Sequence, residues 1–250
     1  RSVSGAKYDY IFQVLRHRIE SGEYEFQSLL PSENVLATDF SCTRNTVRKA
    51  LALLASQGHI QPMQGRGIQV IHRRRTSPPQ HPSAFLLGGI ESLKEAASRN
   101  GVGVRTRMLS LDEGTVDADL ADRSGMREGA DILTVRRVRT LDGVPLIIDT
   151  NVFLRSVVPR LTRQVVESSI YSHLEHELGV TVSSATRIVT VEPSTEEDRS
   201  LLRLDGTGCV VVVTSSTFDS AGVLFEHTIS RHSAVGFEFH TTAQRLPPAL

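Results

Sequence analysis

Apolar residues recur at helical spacing over the first sixty positions and then fall into strand-like runs, so the pattern predicts a helical front and a sheet-rich back. Ile11, Phe12, Leu15 and Ile19 place a first helix over Tyr8 to Glu20, ended by Ser21-Gly22. Ser32 can cap a second helix, with Glu33 in its first turn, where the helix dipole favours negative charge. Val35, Leu36 and Phe40 are its apolar positions, and Ser41-Cys42 makes the break. Thr43 is the next cap, and Val47, Leu51 and Leu54 share one face of a third helix that Gly58 ends. His59 to Ile71 then reads as strand, tip, strand, with Arg66 held between two glycines.

The polar face of the third helix opens with Arg44, Asn45, Thr46 and Arg48. These are donors suited to phosphates and to purine edges, in the turn of a recognition helix that reaches the major groove. The bland alternative is a solvated face. The hairpin tip behind it argues otherwise, because a glycine-flanked arginine can approach a nucleic-acid backbone or minor groove closely. Two helices and a basic winged hairpin make a DNA-binding arrangement.

Behind the wing, HRRRTSPPQHPS can continue neither sheet nor helix and reads as a stiff spacer. Expected units are therefore 1–75 (winged helix-turn-helix), 76–84 (Pro-rich linker) and 85–250 (a second domain). In the latter, a helix is expected from about Ile90 to Arg99, and another in SSIYSHLEHELG capped by Ser168 or Ser169. A short third helix opens with a capping-box pattern from Ser194 to Glu197. Strands are expected in VGVRTRMLSLDEGTV, in TVSSATRIVTVEP, in two long hairpins, and in a closing FEFHT. Few helix-sized crossovers separate them, so the sheet should be mainly antiparallel and the fold class α+β.

The formal net charge is zero, which alone argues against nucleic-acid binding. Division of the chain removes the objection. Residues 1–75 hold 11 of the 28 basic and 6 of the 28 acidic residues, leaving 17 basic against 22 acidic behind them. A cationic reader joined to an acidic domain is the expected electrostatic footprint. Cys42 and Cys209 lie far apart with no CxxC or Cys/His pairing, so neither a disulfide nor a zinc site follows. His173 and His176 form an HxxH that reads as a polar helix face, and no cofactor is implied. With no apolar run of membrane-spanning length and no signal-peptide pattern, the expected location is the cytoplasm.

In the second domain Arg137 and Arg139 alternate in an apolar strand, Asp149 follows an Ile-Ile pair on the return strand, and Ser168-Ser169 stands at a helix N-terminus. Glu226, Arg231 and His232 lie on the last long hairpin. A two-residue Asp-Gly loop would pair Arg139 with Leu146 and turn Asp149 away from Arg137. A three-residue loop, Leu141-Asp142-Gly143, pairs Thr140 with Val144 and brings both arginines and the carboxylate to one side; it is the favoured expectation. Such a group suits a ligand with one phosphate and several hydroxyls. The alternative is that both arginines form surface ion pairs.

LPSENVLATDF, CTRNTVRKALALLASQGHI and QGRG resemble the winged helix-turn-helix of the GntR family of bacterial transcription regulators. The resemblance implies DNA contacts from Asn34, Thr43, Arg44, Asn45, Thr46 and Arg48 and from the wing residues Gln64, Gly65 and Arg66. The region from Phe85 to Gln244, through FLLGGIESLKEAASRN, RRVRTLDGVPLIIDTNVF and VVVVTSSTFDSAGVLFEHTISRH, resembles the UTRA effector domain of the HutC subfamily, whose fold is shared with chorismate lyase. It is most similar to the trehalose operon repressors of that subfamily. This implies a homodimeric repressor of operator DNA controlled by trehalose 6-phosphate, with Ser92, Arg137, Arg139, Asp149, Ser169, Tyr171, Glu226 and His232 on the ligand. Asp149 stands where Glu is more usual, and His232 where some relatives have Tyr. An amino-sugar phosphate such as glucosamine 6-phosphate is the alternative effector. A chorismate-lyase-like enzyme is the remote one, since no nucleophile–base pair, metal set or paired carboxylates at usable spacing is visible.

Overall fold

The computed structural model describes residues 4–73, 84–85, 93, 97 and 101–239. The expected linker lies outside them except for Ala84, as does the helix expected from Ile90 to Arg99 except for Leu93 and Ala97, which are both helical. The described residues divide into two compact units, one ahead of the linker and one behind it.

The first unit holds α1 (Ser4–Ser21), α2 (Glu33–Asp39), α3 (Arg44–Ser56), β1 (Ile60–Met63) and β2 (Gly67–Val70). Its core is the helical stripe read above: Ile11, Leu15, Ile19, Leu36, Val47 and Leu54, each essentially without solvent exposure. Ser32 Oγ accepts from the Val35 amide and Thr43 Oγ1 from the Thr46 amide, so both expected caps are in place. β1 and β2 pair antiparallel down to Met63 opposite Gly67, which leaves Gln64-Gly65-Arg66 as the wing tip. Gly65 and Gly67 have φ of +70° and +101°, a backbone side chains resist, and a Cβ on Gly65 would meet nothing within 4 Å.

The second unit is a six-stranded antiparallel sheet in the order β4-β5-β6-β9-β8-β7, with strands Val104–Thr115, Asp131–Leu141, Val144–Leu154, Leu224–Ser233, Cys209–Asp219 and Val182–Pro193 respectively. The class is α+β. A separate parallel pair joins β3 (Ala84–Phe85) to β10 (Glu238–Phe239). Odd-numbered residues of β5, and of β6 from Ile147 on, lie on the sheet face that meets the helices Arg163–Glu167 and Ile170–His176, through a core of Leu133, Val135, Phe153, Val166 and Leu174. Even-numbered residues such as Val138 and Ile148 face the other way, where Leu202 and Leu204 follow the helix Glu196–Leu201.

Two local expectations are corrected. The β5–β6 loop has two residues, not three: Leu141 pairs with Val144, and Asp142 and Gly143 both have positive φ, as a type I′ turn requires. A bulge then restores the facing. Arg139 pairs with Ile147 and Thr140 with Pro145, so Leu146 is the extra residue and Arg137 comes directly opposite Asp149. The capping box also lies one residue later than expected, between Thr195 and Asp198, whose carboxylate accepts both from the Thr195 amide and from Arg231. The helices Ala118–Ser124 and Arg163–Glu167, capped by Asp117 and Thr162, are too short to show a period in sequence.

Deleting Leu146 removes the bulge and rotates Asp149 to the face away from Arg137. We expect urea unfolding to show a loss of about 3–5 kcal/mol, as for a buried ion pair stripped of one partner, whereas Leu146→Val, which keeps the bulge, costs about 1 kcal/mol.

Candidate functional site

In the first unit, the residues expected to meet DNA form one exposed set. Asn34, Thr43, Arg44, Asn45 and Arg48 are exposed, Thr46 is half-buried, and Gln64, Gly65 and Arg66 are exposed at the wing tip. Thr43 and Thr46 do more than display: Thr43 caps α3, and the two hydroxyls lie 2.9 Å apart. The structure adds Glu33, whose Oε2 accepts from Arg48 Nε at 2.8 Å and Arg44 Nη2 at 3.3 Å. Partial burial raises the Glu33 pKa, but the bonds from the two arginines outweigh it and leave the carboxyl below its ordinary value. One carboxylate thus fans two guanidiniums across the start of the recognition helix.

In the second unit, a polar cluster occupies the sheet face next to the helices. Arg139 Nε donates to Asp149 Oδ2 at 2.6 Å, and Arg137 Nη2 stands 3.6 Å from the same oxygen. Ser230 Oγ donates to the other oxygen at 2.6 Å. Arg137 is only 4% exposed; it donates to Asn151 Oδ1 at 2.8 Å and to the Val166 carbonyl at 3.3 Å. Asn151 Nδ2 in turn donates to Glu226 Oε1 at 2.9 Å and Thr228 Oγ1 at 2.8 Å. Tyr171, reaching in from the helix Ile170–His176, donates its hydroxyl to Glu226 Oε2 at 2.7 Å. No acceptor among the described residues meets the buried Nε of Arg137.

The electrostatics follow from burial. Burial and the neighbouring Arg139 lower the Arg137 pKa to about 9, partly offset by Asp149 and Glu226, so the guanidinium stays charged at neutral pH. Burial raises Asp149, but Arg139, Arg137 and the Ser230 bond win and hold it at about 2. Burial lowers His232 to about 4, so its imidazole is neutral. Tyr171 is raised well above its ordinary value by burial and by Glu226. With Glu226 counted, Arg137, Arg139 and the half-buried Arg187 stand against Asp149 and Glu226, which leaves one surplus positive charge that an anion with hydroxyls would offset.

The expected residues divide as follows. Arg137, Arg139, Asp149, Tyr171, Glu226 and His232 share this face. Ser169 caps the helix Ile170–His176, its hydroxyl accepting from the Ser172 amide. Ser92 lies outside the described residues. Arg231 is a correction: strand alternation turns it to the opposite face, where it donates to both Asp198 oxygens, Glu192 and the Pro193 carbonyl. The bonds it donates to Asp198 raise its pKa further, and its part is to hold the helix Glu196–Leu201 on β9. Sequence reading missed Asn151, Thr228 and Ser230. A signal existed: Glu226, Thr228, Ser230 and His232 alternate along β9, and Asn151 stands two places after Asp149. Of the HxxH pair, His173 Nδ1 stands 3.0 Å from a Glu177 carboxylate oxygen without a hydrogen bond, and His176 Nδ1 is bonded to the Ser172 carbonyl at 2.9 Å.

The model of the bacterial regulatory proteins of the gntR family matches residues 7–70, and the UTRA domain model matches residues 99–238. The HTH-type transcriptional regulator TreR of Bacillus subtilis strain 168 is 35% identical over 239 residues, covering 96% of this chain and 98% of its own. The HTH-type transcriptional repressor NagR of the same organism is 27% identical over 239 residues, covering 96% and 95%. The effector binding domain of the B. subtilis trehalose repressor (TreR) superposes with a TM-score of 0.51 at 35% identity, covering 57% of this chain and 99% of that domain. A possible transcriptional regulator of B. subtilis, YydK, matches in fold with a TM-score of 0.76 at 23% identity, covering 95% and 99%. Among the described residues, no helix is long and apolar enough to cross a membrane.

The His232 imidazole predicts a pH dependence. Its folded pKa of about 4 lies below the ordinary 6.5, so its contribution to stability is fully present above pH 6.5 and is lost as pH falls toward 4. In His232→Asn, the urea stability lost between pH 6.5 and 4.5 should shrink by about 2 kcal/mol; Asp149 titrates lower, between its ordinary 3.8 and about 2, and leaves that window untouched.

Proposed function

The chain belongs to the GntR family of bacterial regulatory proteins, with a UTRA domain behind its helix-turn-helix, and from that membership we propose that it is a transcriptional repressor released from operator DNA by trehalose 6-phosphate. The observation that carries the effector half is the buried Arg137–Arg139–Asp149 group, an anion-seeking set beside hydroxyl-reading side chains. The 35% identity to TreR along nearly the whole chain supports trehalose over other sugars.

In this reading residues 1–75 bind DNA, 85–250 bind the effector, and the Pro-rich 76–84 link them in a protein working in the bacterial cytoplasm. Asn34, Thr43, Arg44, Asn45, Thr46 and Arg48 meet bases and phosphates in the major groove, and Gln64, Gly65 and Arg66 reach the flanking groove or backbone. A homodimer presents two such helices to a near-palindromic operator. Arg137 and Arg139 hold the phosphate, joined by Ser169 and Ser92. Asp149, Glu226, Tyr171 and His232 read the sugar hydroxyls. Regulation requires that the ligand bind the DNA-released arrangement more tightly than the DNA-bound one, and the coupling free energy is reciprocal. The relatives are named regulators, which favours binding without turnover over a lyase-like enzyme.

The test is operator binding followed by fluorescence anisotropy with and without saturating trehalose 6-phosphate. We expect affinity to fall at least tenfold, a coupling of about 1.4 kcal/mol or more, and Arg139→Ala to abolish the response while still binding operator. Unchanged operator affinity with the ligand bound by calorimetry defeats the proposal. A larger thermal shift with glucosamine 6-phosphate reassigns the effector.

A further inference from the structure

One row of the site face carries hydrogen-bonding side chains on four adjacent strands. Asn151 on β6 is in register with Thr228 on β9, Thr228 with Ser215 on β8, and Ser215 with Arg187 on β7. The next row across β8 and β7 is apolar, Val213 beside Val189. Three strand spacings, roughly 14 Å between backbones, separate the two ends of the polar row. At one end Asn151 holds Arg137 in place. At the other Arg187 is half-buried, its pKa lowered by burial, an effect that the neighbouring Tyr171 and Glu226 partly offset.

The geometry points to Arg187 as a specificity-determining residue that reads the hydroxyls of a second sugar ring, so that the site distinguishes a disaccharide phosphate from a hexose phosphate. This rests on the sugar-phosphate reading above. A phosphate held by Arg137 and Arg139 on β5 puts the first ring over β6 and β9, against Asp149, Asn151, Thr228 and Glu226. Ser215 and Arg187 lie one and two strands further on, beyond a single ring. A row built only to brace Arg137 would end at Thr228; this one continues to a planar group with five donors, well matched to vicinal hydroxyls. The edge position of β7 leaves Arg187 at the rim, where its removal spares the phosphate end.

The experiment is calorimetric titration of the full chain, wild type, Arg187→Leu and Arg187→Lys, with trehalose 6-phosphate and with glucose 6-phosphate. Loss of a charged hydrogen-bonding group predicts that Arg187→Leu weakens trehalose 6-phosphate by about 30-fold and glucose 6-phosphate by less than about twofold; Arg187→Lys recovers part of the loss. Equal weakening of both ligands, or no weakening of the disaccharide, overturns the assignment. So does a wild type that binds the two ligands equally. A wild type that binds neither overturns the sugar-phosphate reading itself. Should Arg187→Leu not fold, Arg187→Lys decides: it must weaken the disaccharide more than the hexose phosphate, or the assignment falls.

Discussion

Two guanidiniums share one buried carboxylate, and a chain of hydrogen bonds across β5, β6 and β9 is arranged around that contact. Asp149 satisfies Arg139 directly and Arg137 only at 3.6 Å, so like charges stand close together in a poorly solvated setting. Desolvating such ions costs several kcal/mol apiece unless hydrogen bonds replace the water. The replacements are visible: a main-chain carbonyl from Val166, the amide oxygen of Asn151, the hydroxyl of Ser230. Asn151 is neutral and passes the contact on to Glu226, the second buried carboxylate of the cluster. An aspartate there would add a third carboxylate and remove the amide donor from which Glu226 and Thr228 accept.

The DNA-reading unit uses a related device in a different solvent. Glu33 also ties two arginines, but Arg44 and Arg48 are more than half exposed, and exposed ion pairs contribute little to stability. Their worth is geometric. A long side chain confined to one fan of conformers gives up less freedom when it meets a phosphate. Glu33 can perform this only because Ser32 caps α2 and starts the helix one residue ahead of it. Cap, carboxylate and the two exposed arginines therefore form a single chain of dependence across the helix-turn-helix.

How far sequence foretold each part depended on how local its causes were. The helices, caps and wing of the first unit rest on contacts a few residues apart, so spacing alone placed Ser32, Thr43 and the glycines of the wing. The polar face of the sheet, where we propose the effector binds, depends on register between strands distant in the chain. Arg137 and Asp149 were brought to one side by the right parity but for the wrong reason, since turn chemistry shows Asp142-Gly143 and not the bulge at Leu146. Arg231 was misplaced because its position on the last long hairpin gives a neighbourhood without a facing, and strand alternation decides the facing. Asn151 carried no motif of its own; only its partners, 14 and 75 positions away, make it central.

The extra residue at Leu146 also bears on how this hairpin can vary by descent. One surplus position anywhere between Arg139 and Asp149 preserves the side on which they meet, whether it sits in the strand or in the turn. A lineage can therefore shift it from one place to the other without moving the guanidiniums relative to the carboxylate. Two homologues that differ in this way share a pocket while their matched columns drift by one through the loop. Comparison of such proteins should be anchored on the pairing of positions 137 and 149 and not on the Asp-Gly tip, which is the more conspicuous landmark and the less faithful one.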